Sequence, residues 1–429
     1  MRLPLSYTPP DLQAERPGTV RRRHVFFIPG YDPEARTRYR LLFVRELLRH
    51  AKRFGDPRPD ISPAVLSPDG LVQSWTVGPG RDPGRAATSY DVLLWDDLVA
   101  RDFRRPRVLS VLLLVVGTLH ALLRGLIFRF YRLNWLYGNV VIYPFVMVVL
   151  LTALSAAIGT MVHAHLGDWF GHSLGWPPWV TLPLAVVAGI AWIVAIEALL
   201  NRFFFWQLLN DWVFNWQHGN GWRRDYAERL EVFADRVLAR IAEAEARGER
   251  PDEVMIVGHS TGGLTAAEVA ARILARAPKL GADDMALALV TLGSGLPLVA
   301  AQPFADHVRA EVATLIASRR IVWLDVQAPQ DWMNFPGFNP VLDLDLPLAG
   351  GPIANPLVRS AQVRDILTPE TYAKVCRKPF RMHFQFLMSN ERPGPYDYFR
   401  MVLGPQFLRD RAVRPIVADL QPSLRKGAG

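Results

Sequence analysis

The chain is short of cysteine. Cys376 is the only one in 429 residues, so no internal disulfide can form. Lysine is scarce too, with 5 against 44 arginines and a net charge of +9. A basic balance of that size suits nucleic acid or an anionic membrane surface. However, the sequence has no basic helix interleaved with aromatics, no zinc-ligand spacing and no helix-turn-helix pattern, so nucleic acid is not an expected partner. Genomic base composition alone can also produce an arginine excess. The first 18 residues, MRLPLSYTPPDLQAERPG, lack an apolar run of signal-peptide length and read as a tail or a surface strand. Internal repeats, low-complexity segments and a Gly-rich phosphate loop are missing as well.

One further absence is local. Residues 133–201 contain neither Lys nor Arg. Two apolar runs lie inside this stretch, Val140 to Val162 and Val180 to Leu200, each more than 20 residues long. A helix of that length crosses a hydrocarbon core of ~30 Å. Two transmembrane helices are therefore expected at about 140–162 and 180–200. The linking HAHLGDWFGHSLGWPPW, rich in Trp and His, reads as a loop in the headgroup zone. A third run, 108–128, carries His120 and Arg124. A mid-membrane arginine costs at least ~2.5 kcal/mol, so this run is expected to be an interfacial or re-entrant helix. Arg101, Arg104, Arg105, Arg107, Arg124, Arg129 and Arg132 precede the hairpin, and Arg202, Arg223 and Arg224 follow it. By the positive-inside rule both flanks are cytoplasmic, and in a bacterium the membrane is the inner one.

The stretch VMIVGHSTGG, residues 254–263, sets a lone serine among glycines between a strand-like run and the helix-like LTAAEVAARILARA. Chance places roughly 0.1 to 0.2 Gly-x-Ser-x-Gly pentapeptides in a chain this long, so the flanking pattern carries the weight. A serine at a tight strand-to-helix turn needs small neighbours two before and two after, here Gly258 and Gly262. Such a turn lifts the Ser260 hydroxyl above the sheet and leaves the Thr261 N–H at a helix N-terminus, able to face an oxyanion.

Elsewhere, strands and helices alternate. Strands are expected at 25–28, 73–77, 90–95, 253–260, 287–292 and 321–326. Helices are expected at 35–54, 224–246, 261–277 and 306–318. Residues 327–358, rich in proline, read as loop. The expected class is α/β, with a mostly parallel sheet covered on both faces. Asp96-Asp97 have no His or Cys nearby and read as a solvated strand end rather than a metal site. No metal and no cofactor are expected.

With VMIVGHSTGG, the early strand HVFFIPGYD and a late acid and histidine, the chain resembles the α/β-hydrolase superfamily, outside residues 108–204. Together with the apolar runs, the resemblance divides the chain into a tail at 1–20, a hydrolase domain in two parts at 21–107 and 205–415, a membrane insertion at 108–204 and a tail at 416–429. It also implies the chain order serine, acid, histidine. After Ser260 only His307 and His383 remain. His307 lies in a helix pattern ahead of the acid-bearing strand, so His383 is the expected base. Asp331, in the loop past the strand, is the preferred acid, with Asp325 second. Asp343, Asp345 and Asp365 read as surface charges. Tyr31, following Pro29-Gly30, is the expected second oxyanion donor beside Thr261.

The expected function is a membrane-anchored serine hydrolase acting on an ester or thioester of a hydrophobic acyl substrate, with the lipid bilayer as partner. Two alternatives stay open: an acyltransferase using the same residues, and a non-catalytic hydrolase-like scaffold.

Overall fold

The computed structural model describes residues 6–13, 18–80, 82, 84–282, 284–348 and 350–413. The expected tail at 416–429 lies outside them. Ten strands form one sheet. They are β1 (Ser6–Tyr7), β2 (Arg22–Ile28), β3 (Asp60–Ile61), β4 (Val65–Leu66), β5 (Val72–Gly78), β6 (Ala87–Leu93), β7 (Glu253–His259), β8 (Ala286–Leu292), β9 (Ile321–Gln327) and β10 (Leu357–Ser360). The order is β1-β10-β9-β8-β7-β2-β6-β5-β3, with β4 on β5. Pairing is parallel from β10 through β6 and antiparallel at both edges.

This architecture is mixed α/β with a mostly parallel sheet, as the alternation of elements predicts. The central strands read as apolar runs because both sheet faces are covered. On β2, Phe26 and Ile28 enter one core while Val25 and Phe27 enter the other. On β7, Val254 and Ile256 part from Met255 and Val257 in the same way. Strand β2, from before the apolar segment, lies between β6 and β7, so the chain on either side of that segment builds a single sheet. The N-terminal stretch contributes β1 at the sheet edge, pairing with β10.

The helices up to β9 are α1 (Ala35–Phe54), α2 (Asp96–Phe103), α3 (Arg107–Leu123), α4 (Leu126–Leu133), α5 (Trp135–Leu174), α6 (Leu182–Ala195), α7 (Glu197–Arg202), α8 (Phe205–Gly219), α9 (Arg224–Ala246), α10 (Thr261–Arg276), α11 (Leu296–Ala300) and α12 (Asp306–Ala317). Asp96 and Asp97 are not a strand end. They open α2, where carboxylates favour the positive helix terminus, and Asp97 pairs with Arg229 at 2.7 Å.

Two helices are long and apolar enough to cross a membrane, Trp135–Leu174 and Trp179–Arg202. The first corrects the expected loop. It runs for 40 residues, about 60 Å, and keeps HAHLGDWFGHSL helical. His165 and His172 meet the carbonyls of Met161 and Asp168 one turn back, satisfying the polar rings within the helix. The helix stops at Gly175, whose φ of 66° supplies the left-handed cap, ahead of Pro177. The two apolar helices meet through small residues. A Cβ on Gly189 would lie 2.8 Å from Ser155 Oγ, and Ser155 Oγ donates to the Gly189 carbonyl at 2.9 Å.

The run 108–128 is likewise split. Arg124 ends α3, Gly125 turns with φ 70°, and α4 begins at Leu126. Helix α3 bends 101° from α2. One face of α3, with Leu114, Gly117 and Ala121, is buried, and Gly117 abuts the Trp216 ring of α8. Its other face leaves Val108, Leu112, Val116 and Leu123 exposed.

Candidate functional site

Strand β7 is buried along its whole length and ends abruptly at Ser260, whose backbone sits at φ 60° and ψ −129°. A side chain held at positive φ costs on the order of 1–3 kcal/mol, so its surroundings must enforce it. Ser260 N–H donates to the Leu292 carbonyl at 3.0 Å. Its own carbonyl accepts from Gly263 N–H at 2.8 Å and Gly295 N–H at 2.9 Å. Both flanking glycines are sterically obligatory. A Cβ on Gly258 would lie 2.0 Å from the Gly262 carbonyl oxygen, and a Cβ on Gly262 would lie 2.2 Å from that of Ile28.

Past the end of β9 the chain turns through Ala328, and Asp331 N–H donates to the Ala328 carbonyl at 3.1 Å. The Asp331 carboxylate is fully buried. Its Oδ1 accepts from Met333 N–H at 2.9 Å, and its Oδ2 accepts from Asn334 Nδ2 at 2.9 Å. The His383 Nδ1 lies 2.7 Å from the same Oδ2. A carboxylate so placed accepts a hydrogen bond from Nδ1–H, which keeps the proton on Nδ1 and leaves a bare lone pair on Nε2. His383 Nε2 is buried and has no hydrogen-bond partner among the described residues. Ser260 and His383 line the same cavity, but no hydrogen bond joins them in this structure.

The structure separates the other candidates from this pair. Asp325 is buried in the sheet, where it accepts from Thr291 Oγ1 at 2.5 Å and from Gln327 Nε2 at 2.7 Å, and burial pushes its carboxyl up to about 6. His307 packs beside His218, 5.3 Å between ring centres, in a cluster around Glu268. His259, next to the serine, meets the His383 carbonyl through Nε2 at 3.0 Å. Burial and the neighbouring His383 hold it well below the ordinary histidine range, so it stays neutral.

Tyr31 and Thr261 both line the cavity with Ser260. Among the described residues, neither backbone N–H has a hydrogen-bond partner. Thr261 is the first residue of α10, so its free N–H is one of the helix's four orphan donors. Tyr31 follows β2, and its side chain is tied down by a 2.9 Å hydrogen bond to Asp102.

Helix α8 brings residues to the site that the sequence reading left unassigned. Gln207 Nε2 donates to the Tyr31 carbonyl. Asp211 Oδ1 accepts from Thr261 Oγ1 at 2.9 Å and from Asn215 Nδ2 at 3.1 Å. Burial pushes the Asp211 carboxyl up to about 6, with the Thr261 and Asn215 hydrogen bonds acting against it. A signal for these residues exists. In FWQLLNDWVFNWQHG, Gln207, Asp211 and Asn215 recur every fourth residue and form a polar stripe on an otherwise aromatic helix.

The cavity has a volume of about 690 Å³, enough for a sizeable organic ligand. Phe204 and Asn201, at the end of the second apolar helix, and Phe380 and Arg381, beside His383, line part of its wall. Among the described residues no three His, Cys, Asp or Glu side chains gather as a metal ion would require. No protein-family profile, curated protein or solved structure matches this chain.

Proposed function

We propose that this chain is a membrane-anchored serine hydrolase of the α/β-hydrolase type, cleaving an ester or thioester of a hydrophobic acyl substrate. The observation that carries the reading is the His383 imidazole. It is gripped by a buried carboxylate at 2.7 Å and presents a bare Nε2 to the cavity that holds the strained serine. A buried unpaired nitrogen is costly, and proton transfer gives it a use.

In this reaction Ser260 Oγ approaches Nε2, which takes the hydroxyl proton as Oγ attacks the acyl carbonyl. Asp331 keeps the Nδ1–H in place and offsets the charge of the imidazolium. The negative charge on the carbonyl oxygen falls to the Tyr31 and Thr261 N–H groups, each contributing about 3 kcal/mol. The proton returns from Nε2 to the leaving oxygen or sulfur. Water, deprotonated by the same nitrogen, then releases the acyl group from Ser260.

The two apolar helices anchor the domain in the bilayer, with the arginine-rich flanks on the cytoplasmic side. Phe204 and Asn201 in the cavity wall support an apolar substrate arriving at the membrane surface. A serine-reactive fluorophosphonate probe tests the mechanism. Wild type should label covalently, whereas Ser260→Ala and His383→Ala should not. Equal labelling of wild type and Ser260→Ala removes the mechanism.

A further inference from the structure

Gln207 and Asp211 lie four residues apart on one face of α8, and Phe204 stands at its N-cap, three residues before Gln207. Each touches a different part of the site. The Phe204 ring stacks on Phe380, 3.5 Å between ring centres, in the short helix Pro379–His383 that carries the histidine. Gln207 donates to the carbonyl of Tyr31, and Asp211 accepts from the hydroxyl of Thr261. These are the two cavity-lining residues whose backbone N–H groups have no hydrogen-bond partner among the described residues. This end of α8 therefore meets the histidine helix and both proposed oxyanion donors over the span from Phe204 to Asp211.

The same helix is joined to the membrane. Residue 202 ends the second apolar helix and residue 205 begins α8, with Phe204 at φ 57° between them. Arg107 of α3 adds a second tie. It meets Glu197 of α7 at 2.9 Å and lies over the Trp206 ring of α8, 4.3 Å from its centre. A shift of the hairpin in the bilayer thus reaches the site through a packed helix and hydrogen bonds of fixed direction.

We infer that Gln207 and Asp211 are positioning residues that hold the two oxyanion donors in register, and that the seating of the hairpin in the bilayer sets that register. The inference rests on the serine-hydrolase reading and adds a regulator to it. The direction of each hydrogen bond makes the claim specific. Gln207 must donate, so Gln207→Glu, of equal size but an acceptor when ionised, fails as Gln207→Ala does. Asp211 must accept, so Asp211→Asn retains function and Asp211→Ala loses it.

The test measures turnover of a water-soluble short-chain p-nitrophenyl ester by the full-length protein, so that substrate partitioning into lipid does not enter. In phosphatidylcholine vesicles, Gln207→Ala, Gln207→Glu and Asp211→Ala should lower kcat 10- to 100-fold with KM within about twofold. Asp211→Asn should stay within about threefold of wild type. Wild type should also change kcat at least threefold between vesicles of 14-carbon and 22-carbon acyl chains, and should do so without a matching change in KM. Unchanged kcat in the three disruptive variants, an Asp211→Asn as impaired as Asp211→Ala, or one kcat in both vesicle types would overturn the inference. Fluorophosphonate labelling of wild type separates the two levels. A labelled wild type with indifferent variants sinks the positioning role alone, while an unlabelled, inactive wild type removes the hydrolase reading and this inference with it. Circular dichroism and thermal midpoints of each variant identify misfolding, and the Asp211→Asn rescue holds against it.

Discussion

Asp325 and Asp331 stand six residues apart and show how little of a carboxylate's role its identity carries. Asp331 lies past the strand end and meets a histidine; Asp325 lies within β9 and meets only Thr291 and Gln327. Their amides should separate the two. Asp331 accepts through both oxygens, so Asp331→Asn sets an NH2 donor against Met333 N–H or against His383 and Asn334, the His383 tautomer is no longer held, and kcat should fall about 10⁴-fold in ester turnover assays. Asp325→Asn should leave kcat nearly untouched and change the pH profile of stability instead. Burial raises the Asp325 carboxyl to about 6 from an ordinary 3.8, so its charged form is disfavoured in the folded state. Its contribution is complete below about pH 4 and is lost as pH rises through 6, with a ceiling of about 3 kcal/mol. Thermal midpoints across pH 4 to 8 should therefore decline less for Asp325→Asn than for wild type. Parallel curves would count against this account of Asp325.

At the scale of elements, pattern served well where one physical demand dominated. Helix α1 spans Ala35–Phe54, and its apolar spacing over 35–54 predicts those bounds because one face packs on the sheet. The segment 163–174 reads as loop from its His, Trp and Gly content, yet it is helical. A helix leaving the domain needs no buried face, and its backbone hydrogen bonds alone favour continuing until Gly175. Helix α8 went unassigned because its aromatic content masks the stripe of Gln207, Asp211 and Asn215. The hairpin's own joint is testable. At Gly189 an added Cβ would come 2.8 Å from Ser155 Oγ and 3.2 Å from its carbonyl oxygen. Gly189→Val should thus part the two apolar helices and cost roughly 1–3 kcal/mol, read as a lower thermal midpoint and faster proteolysis in detergent. Ile190→Val, at the exposed neighbouring position, should show neither effect.

For the whole molecule, the single cysteine turns orientation into a simple measurement. Cys376 is partly exposed and lies in the α/β part of the chain, seven residues before His383. The proposed topology, with both arginine-rich flanks cytoplasmic, predicts that a membrane-impermeant maleimide labels Cys376 only after cells are opened. In a Cys376→Ala background, Gly175→Cys at the hairpin tip should label in intact cells. The reverse pattern would invert the topology and place the cavity on the other side of the membrane.

The sequence by itself determined the alternation of strands and helices, the two apolar segments, the glycine-fenced serine and the short list of residues able to serve it. Those features are local: a periodicity, a run length, a steric requirement two residues to either side. Folding alone fixes which acid meets His383, that the buried Nε2 of His383 has no partner among the described residues, and that Gln207 and Asp211 reach Tyr31 and Thr261. These depend on contacts between residues far apart in the chain, Asp331 with His383 and Gln207 with Tyr31, which the packing of helices against the sheet creates. No local pattern encodes such distances, because the same side chain at the same spacing can face a core, a cavity or solvent according to what folds against it.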